Sequence, residues 1–221
     1  MMKSNLIKSL TISTALSVFL LFFRVQWSGT LFYAFLVWNL FLAWIPFICS
    51  IFLQEAKQKQ QTSVVLLFLF ACWLLFFPNS PYILTDLFHL KVRHDIPLWF
   101  DLILILSFAW NGLLLGFSSL LNIQQFLKHY FSKSTIHIFV FTLFVLCGFG
   151  IYLGRYPRFN SWDVVTNPIA LFTDIISMVT HPLKNTRMVG VTVFFSVFLI
   201  VSYSTLTSLI HHHKNEEQER E

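Results

Sequence analysis

The amino-acid sequence predicts an all-α fold, a polytopic transmembrane helix bundle of about six spans. Of the 221 residues, 56% are hydrophobic and only 11% are charged, whereas about 25% of the residues of a soluble domain are charged. The 27 phenylalanines and 7 tryptophans would be costly on a surface in contact with water. A water-soluble globule, a disordered chain and a disulfide-rich secreted scaffold are therefore excluded. The partner that this composition implies is a lipid bilayer.

Apolar stretches long enough to cross a bilayer, which takes about 20 residues per helix, recur along the chain. They lie at 8–25, 31–53, 63–86, 97–121, 136–153 and 189–210. The first stretch follows Lys3 and Lys8, as in a signal peptide. Because Arg24 and Trp27 stand where a small-residue cleavage site would be, we expect an uncleaved anchor. We expect residues 1–221 to form a single membrane domain that ends in a charged tail over 211–221.

An even number of spans would place both termini on one side of the membrane, here called the terminal face. Lysine and arginine divide almost evenly, eight on that face against seven on the non-terminal face, which barely supports cytoplasmic termini. The residue types differ more, since five of the six arginines and all five aspartates lie on the non-terminal face or at its edge. Arginine and aspartate suit fixed, directional contacts. We therefore predict a polar site on the non-terminal face, outside the cytoplasm.

A proline-broken segment, FPNSPYILTDLFH over residues 77–89, closes the third predicted span. Pro78 and Pro81 remove backbone donors and interrupt the helix. Beyond this break, the spacing predicts that Tyr82, Asp86 and His89 share one face of a resumed helix. A carboxylate near the bilayer edge is costly unless it is paired, so Asp86 should have a partner. The alternative is an interfacial turn in which the aspartate is only a cap.

A second polar segment, LGRYPRFNSWD over residues 153–163, follows the fifth span. Arg155 and Arg158 would emerge at the membrane surface, where a guanidinium could pair with Asp86. Asn160 or Ser161 could cap a short helix. Aromatic side chains around both segments would form an interfacial rim: Tyr82, Tyr152, Tyr156, Phe159 and Trp162.

Other apolar or buried positions have packing interpretations. The stretch 168–180 is too short to span, so we expect an interfacial or re-entrant helix that either lies over the site or only anchors its loop. Asp101 should need a partner, and Asn39 and Asn111 are expected to form interhelical hydrogen bonds in mid-span. Two GxxxG faces predict close helix–helix association: Gly112 with Gly116, and Gly150 with Gly154.

Metal, thiol and nucleic-acid chemistry have little support. His89 and His94 are the candidate metal ligands, but their spacing matches no motif such as HExxH, so we expect no metal site and leave cofactors open. Cys49, Cys72 and Cys147 each lie in an apolar run, as small buried hydrophobes do. The net charge of +5 comes from basic residues scattered between spans, so we expect no nucleic-acid partner.

Both polar segments, FPNSPYILTDLFHL and LGRYPRFNSWD, together with Trp38-Asn39 upstream, resemble a known family. They are similar to the bacterial membrane proteins grouped as domain of unknown function thirteen sixty-one (DUF1361), from the second span to the sixth. The resemblance implies a multi-pass protein of the bacterial plasma membrane and no reaction or substrate. The family pattern emphasises the following positions: Pro78, Asn79, Tyr82, Thr85, Asp86, Gly154, Arg155, Asn160, Trp162 and Asp163.

Three functions are compatible with these residues, and whether the protein is an enzyme stays open. The first is a site that binds or modifies a polar or anionic envelope or lipid headgroup, with Asp86 as an orienting group or a base. Its expected binding residues are Asn79, Tyr82, Arg155, Arg158, Asn160, Trp162 and Asp163. The second is a secondary transporter, which also uses broken helices and buried aspartates. The third is a structural or assembly subunit of a membrane complex, in which the polar residues only stabilise the fold.

Overall fold

The computed structural model describes residues 2–92, 96–157, 159, 166 and 168–218. The described residues are predominantly helical and contain no strand. Each helix is bounded as follows: α1 Met2–Ser28, α2 Phe35–Gln58, α3 Ser63–Phe76, α4 Asn79–Tyr82, a 3₁₀ segment Ile83–His89, α5 Leu98–Leu127, α6 Lys133–Arg155, α7 Pro168–Thr180 and α8 Thr186–Gln218. The predicted all-α class is confirmed.

Six stretches of these helices are long and apolar enough to cross a membrane. They are Asn5–Ser28, Phe35–Gln58, Ser63–His89, Leu98–Leu127, Lys133–Arg155 and Thr186–Ile210. Every predicted span corresponds to one of them, and the short helix expected at 168–180 is α7. Most helices are longer than the apolar stretches predicted from the sequence. The polar residues at their ends continue the helical backbone hydrogen bonds outside the hydrocarbon region of the bilayer. For the same reason α8 continues into the charged tail as far as Gln218.

Residues 1–133 and 134–221 form two compact units, and the single membrane domain expected from the sequence stays a prediction. In unit 1, α5 packs against α1, α2, α4 and the 3₁₀ segment. A stripe on α2 at helical spacing, Leu36, Leu40, Ala43 and Phe47, is buried in the core of this unit. The outward faces carry large apolar side chains, which suits a surface in contact with lipid.

A proline break divides the third span as the sequence predicts. Helix α3 ends at Phe76, before Pro78, and the chain continues as the short helix α4 and the 3₁₀ segment. This stretch packs closely on α5, because a Cβ atom at Gly112 would lie 2.8 Å from the Ser80 carbonyl oxygen, and one at Gly116 would lie 2.8 Å from the Ser80 Cβ. The predicted GxxxG face of Gly112 and Gly116 therefore packs against another segment of the same chain, at Ser80.

The sequence predicts that an α-helix resumes after the break, and this prediction is wrong. Residues Ile83–His89 form a 3₁₀ helix, in which side chains three apart lie above one another. Asp86 and His89, three residues apart, therefore share one face, whereas Tyr82, four residues before Asp86, lies off it. The hydroxyl of Thr85 donates to the Tyr82 carbonyl at 2.8 Å, so it takes an acceptor that an α-helix would use for a backbone bond.

Unit 2 contains α6, α7 and α8. A Cβ atom at Gly148 would lie 2.5 Å from the Thr192 carbonyl oxygen, so α6 and α8 approach closely at this glycine. The Ser196 hydroxyl donates to the Phe144 carbonyl at 3.2 Å across the same contact. Gly150, by contrast, has nothing within 4 Å of such a Cβ. Helix association through Gly150 and Gly154 stays a prediction.

Candidate functional site

Polar side chains of unit 1 gather where α1 and the 3₁₀ segment end and where α2 and α5 begin. This region, here called the polar end of unit 1, lies on the predicted non-terminal face. Its members come from four elements and from the connection between α1 and α2: Arg24, Tyr33, Asn39, Asp86, His89 and Asp101. Two carboxylates organise it, and each has a different partner.

The first carboxylate is Asp86, in the 3₁₀ segment. The Nδ2 atom of Asn39 donates to its Oδ2 at 2.8 Å. Asp86 is 2% exposed, whereas Asn39 is half-buried. Asn39 is one turn into α2, which begins at Phe35, rather than in mid-span as the sequence suggested. Its predicted interhelical hydrogen bond is confirmed.

The second carboxylate, Asp101, is paired with a cation. The Nε atom of Arg24 donates to Asp101 Oδ1 at 2.9 Å, and both side chains are 1% exposed. Arg24 Nη1 also donates to the hydroxyls of Ser28 and Thr30, at 3.3 Å and 3.1 Å. These contacts satisfy a guanidinium that would otherwise be very costly to bury. The partner that the sequence required for Asp101 is therefore Arg24.

Tyr33 connects the ion pair with the 3₁₀ segment. The Arg24 guanidinium carbon lies 4.6 Å from the centre of the Tyr33 ring, within the range of a cation–π contact. The Tyr33 hydroxyl donates to the His89 carbonyl at 3.2 Å, and the His89 ring lies 5.1 Å from the Phe35 ring. A continuous set of contacts therefore runs from α1 to the segment that carries Asp86.

Unit 2 has its own cluster of arginine and tyrosine. Arg155 is the last residue of α6 and is half-buried. Tyr152 and Tyr156 stack with ring centres 5.3 Å apart and an interplanar angle of 24°. The guanidinium of Arg187, at the start of α8, lies 5.5 Å from the Tyr156 ring centre. Two elements therefore place cationic and aromatic groups together.

Several sequence-predicted site residues have local structural contacts or lie outside the described residues. The Asn79 amide donates to the Phe76 carbonyl at 3.0 Å, which satisfies the end of α3. Tyr82 is half-buried beside it. The predicted residues outside the described part are His94, Arg158, Asn160, Ser161, Trp162 and Asp163. The pairing of Asp86 with Arg155 or Arg158 stays a prediction.

Arg24, Tyr33 and Arg187 are the contributors that sequence reasoning missed. In the sequence, Arg24 indicates only that the first span is an uncleaved anchor, although it and Asp101 stand at the ends of spans that reach the same face by the predicted parity. That parity is the signal that could have found the pair. Tyr33 and Arg187 carry no comparable signal, because a lone residue in a connection does not reveal its neighbour.

No metal cluster forms among the described side chains, and the three cysteines form no disulfide. Within the described ranges, no three His, Cys, Asp or Glu side chains come together as a metal site would need. All three cysteines are free thiols, with Cys147 buried and Cys49 and Cys72 half-buried.

The expected interhelical role of Asn111 is confirmed, since its Nδ2 donates to the Ser17 hydroxyl of α1 at 2.9 Å.

Comparison with known proteins gives a family and no activity. A family model described as a protein of unknown function (DUF1361) matches residues 38–202, which is more than half of the chain. No curated protein and no solved structure matches the chain. The matched residues include Asn39, Asp86, Asp101 and Arg155, whereas Arg24 precedes them.

Proposed function

Since the chain belongs to the DUF1361 family of uncharacterised activity, we propose a function from its own residues: this membrane protein binds a polar or anionic headgroup at its non-terminal face. The single observation that carries the proposal is the Asn39–Asp86 hydrogen bond of 2.8 Å. It fixes a buried carboxylate in a non-α-helical segment of a span. An ionisable side chain in such a setting is costly and is typical of functional sites in membrane proteins.

The proposed roles follow from the chemistry of the side chains. Arg155, with Arg158, would hold a phosphate or carboxylate, because a planar guanidinium donates two parallel hydrogen bonds to such a group. Within unit 1, Asp86 would orient a polar headgroup or act as a base, and Asn39 would hold its carboxylate in one position. Tyr82, Tyr152, Tyr156 and Trp162 would contact the interfacial part of a lipid or sugar.

Bacterial plasma membrane, with both termini in the cytoplasm, is the location that we propose. The support is the predicted parity of the spans together with the lysine-rich, glutamate-rich character of the terminal face. The polar end of unit 1 would then face the envelope. The ligand would be a headgroup of the outer leaflet or an envelope component.

The proposal is tested by lipid binding to the full-length protein in detergent. Native mass spectrometry counts bound dioleoyl-phosphatidylglycerol and, in parallel, zwitterionic dioleoyl-phosphatidylcholine. We expect Arg155→Lys to weaken phosphatidylglycerol binding nearly as much as Arg155→Ala, about tenfold, because lysine lacks the planar pair of donors. Lys59→Gln, an exposed charge at the end of α2, is the control and should bind normally. Full binding by Arg155→Lys would exclude the bidentate role.

A structural or assembly subunit is the second candidate, and the Arg24–Asp101 pair favours it. This pair shows that ionisable residues of the chain can serve the fold alone, since both side chains are 1% exposed and hydrogen-bonded. Asp86→Asn discriminates the two functions. A variant that accumulates normally but loses phosphatidylglycerol binding supports a binding site, whereas loss of accumulation supports the structural role.

A further inference from the structure

Helix α7 of unit 2 is too short to cross a membrane. Its 13 residues, Pro168–Thr180, give a length of about 20 Å, whereas the hydrocarbon core of a bilayer is about 30 Å thick. The sequence is compatible both with a helix that lies in the membrane interface and with one that enters the bilayer and returns. The turn that follows α7 and the exposure of its side chains distinguish these two arrangements.

The turn after α7 places the end of this helix at the level where a span begins. Only residues 181–185 separate α7 from α8, whose candidate membrane span starts at Thr186. The Asn185 side-chain amide donates to the His181 carbonyl at 3.0 Å, and the Asn185 backbone N–H donates to the same carbonyl at 3.2 Å. Because these hydrogen bonds close the turn, Thr180 lies near the membrane surface on the side where α8 begins.

One side of α7 carries an exposed stripe that suits contact with lipid. The members of this stripe are three or four residues apart, so they lie on one face of the helix: Ile169, Thr173, Ile176 and Thr180. Ile169 is 81% exposed and Ile176 is 60% exposed. Each threonine hydroxyl donates to the carbonyl of the isoleucine four residues before it, at 2.8 Å and 2.7 Å. The hydroxyl donors of the stripe are therefore satisfied within the helix and do not require water.

The other sides of α7 have a different character. Asp174 and Ser177 are exposed, and the helical repeat places Asp174 about 130° around the axis from the middle of the stripe. An ionised carboxylate is costly in hydrocarbon, which disfavours a helix that enters the bilayer core. Ile175 and Met178 lie on the remaining side and are half-buried. The three sides of the helix thus suit lipid, water and the protein interior respectively.

We propose that α7 lies flat in the membrane interface on the side where α8 begins, with its stripe in contact with lipid and Asp174 in water. The partner is the boundary between phospholipid headgroups and acyl chains, into which the apolar face of such a helix enters by about 5–10 Å. This inference is independent of the proposed function, since the residues that carry it lie outside the proposed headgroup site. Helix α7 then anchors the connection into α8 at the membrane surface.

The test is the depth of single nitroxide labels on the full-length protein in phosphatidylcholine–phosphatidylglycerol vesicles, after replacement of the three native cysteines. Electron paramagnetic resonance compares collisions of each label with oxygen, which concentrates in lipid, and with a water-soluble nickel chelate. We expect labels at Ile169→Cys and Ile176→Cys to collide more with oxygen and to lie at equal depth. A label at Asp174→Cys should collide more with the nickel chelate. The matched references are Phe194→Cys, 78% exposed within the α8 span, and Lys184→Cys, exposed in the turn.

The depths of the labels separate the alternatives. Equal depth at Ile169 and Ile176, shallower than at Phe194, supports the interfacial helix. A difference of about 10 Å between the two isoleucines, the rise of seven helical residues, shows that α7 enters the bilayer and overturns the flat orientation. Nickel collisions at both isoleucines as frequent as at Lys184 show a helix in water, and few collisions with either reagent show that protein covers the stripe. Either of these results overturns the lipid contact.

Discussion

Arg24 and Asp101 form an ion pair in which each side chain is 1% exposed. Burial of two charges costs several kcal/mol per ion, and their attraction offsets this only when every donor is satisfied. Arg24 meets this condition through Asp101, Ser28, Thr30 and the Tyr33 ring. The loss of one partner should therefore be far worse than the loss of both.

We predict that Arg24→Met lowers the free energy of unfolding by about 3–5 kcal/mol, because it leaves Asp101 buried without its cation. The double variant Arg24→Met with Asp101→Leu should recover most of this loss. Unfolding of the purified protein in mixed micelles by increasing SDS measures both. Lys59→Met, at an exposed position, is the control for loss of a positive charge. A double variant as unstable as Arg24→Met would contradict the ion-pair interpretation.

The Tyr33 hydroxyl gives a second prediction at this scale. Tyr33→Phe removes the 3.2 Å hydrogen bond to the His89 carbonyl but keeps the ring beside Arg24. We expect a loss of about 1 kcal/mol from this hydrogen bond, and a larger loss for Tyr33→Leu, which also removes the ring. The same SDS titration measures both variants. Leu31→Ala, at a 70% exposed position two residues earlier, should change little, and an equal loss there would contradict a specific role for Tyr33.

At the scale of residues, the sequence predicts the contacts only in part. It required partners for Asp86 and Asp101 because a lone buried carboxylate is costly, and the structure gives Asn39 and Arg24. It did not identify which residues these would be, since partners 47 and 77 positions apart in sequence meet only through helix packing. Hydropathy locates the spans, and it does not determine which side chains of different spans touch.

At the scale of elements, the broken third span and α5 depend on each other. The chain between α3 and the 3₁₀ segment packs against α5 at Gly112 and Gly116, where an added Cβ would lie 2.8 Å from Ser80 atoms. Backbone at this distance leaves no room for a methyl group. The glycines therefore position the segment that carries Asp86, at some cost in helix propensity.

We predict that Gly112→Ala destabilises the protein by about 1–3 kcal/mol, because the backbone of Ser80 must move. Gly150→Ala is the matched control, a helical glycine with nothing within 4 Å of an added Cβ. It should be neutral or more stable by up to about 1 kcal/mol, since alanine is the better helix former. Thermal unfolding in detergent compares the two. Equal behaviour of the two variants would show that the Ser80 contact is absent.

The elements themselves were largely predictable, for a physical reason. A bilayer requires about 20 apolar residues per helix, so length and hydropathy alone locate the spans. The proline break between Phe76 and Asn79 was equally visible. The 3₁₀ geometry was not, because the choice between two helix types depends on the Thr85 side chain and on packing against α5. An α-helix and a 3₁₀ helix of this length differ by only a few hydrogen bonds, and this difference leaves no periodic pattern in the sequence.

At the scale of the whole molecule, the orientation of the chain in the membrane determines which side of the membrane the proposed site faces and therefore which ligands can reach it. By the predicted parity, six membrane-crossing spans would place both termini on one side, but lysine and arginine are divided almost evenly between the two faces. The direct measurement is labelling of single cysteines in intact cells with an impermeant thiol reagent, after replacement of Cys49, Cys72 and Cys147.

We predict that cysteines at Lys91 and Ser161 are labelled and that one at Asn215 is not. Lys91 follows the 3₁₀ segment and is exposed, so it reports on the face that carries Asp86. Asn215 labelled only after permeabilisation serves as the internal control. If Lys91 and Ser161 label on opposite sides, the parity of the spans is wrong and the two polar segments cannot share one site.

The position of Arg24 also constrains how the protein is made. Arg24 leaves the ribosome before its carboxylate partner, which follows 77 residues later. At about 5–20 residues per second, synthesis of that interval takes roughly 4–15 s. Throughout it, an arginine at the membrane border has no native counter-ion. Helix α1 must therefore remain beside the insertion machinery or at the lipid headgroups until α5 has been inserted. The native packing of unit 1 can therefore be completed only after α5 has been synthesised.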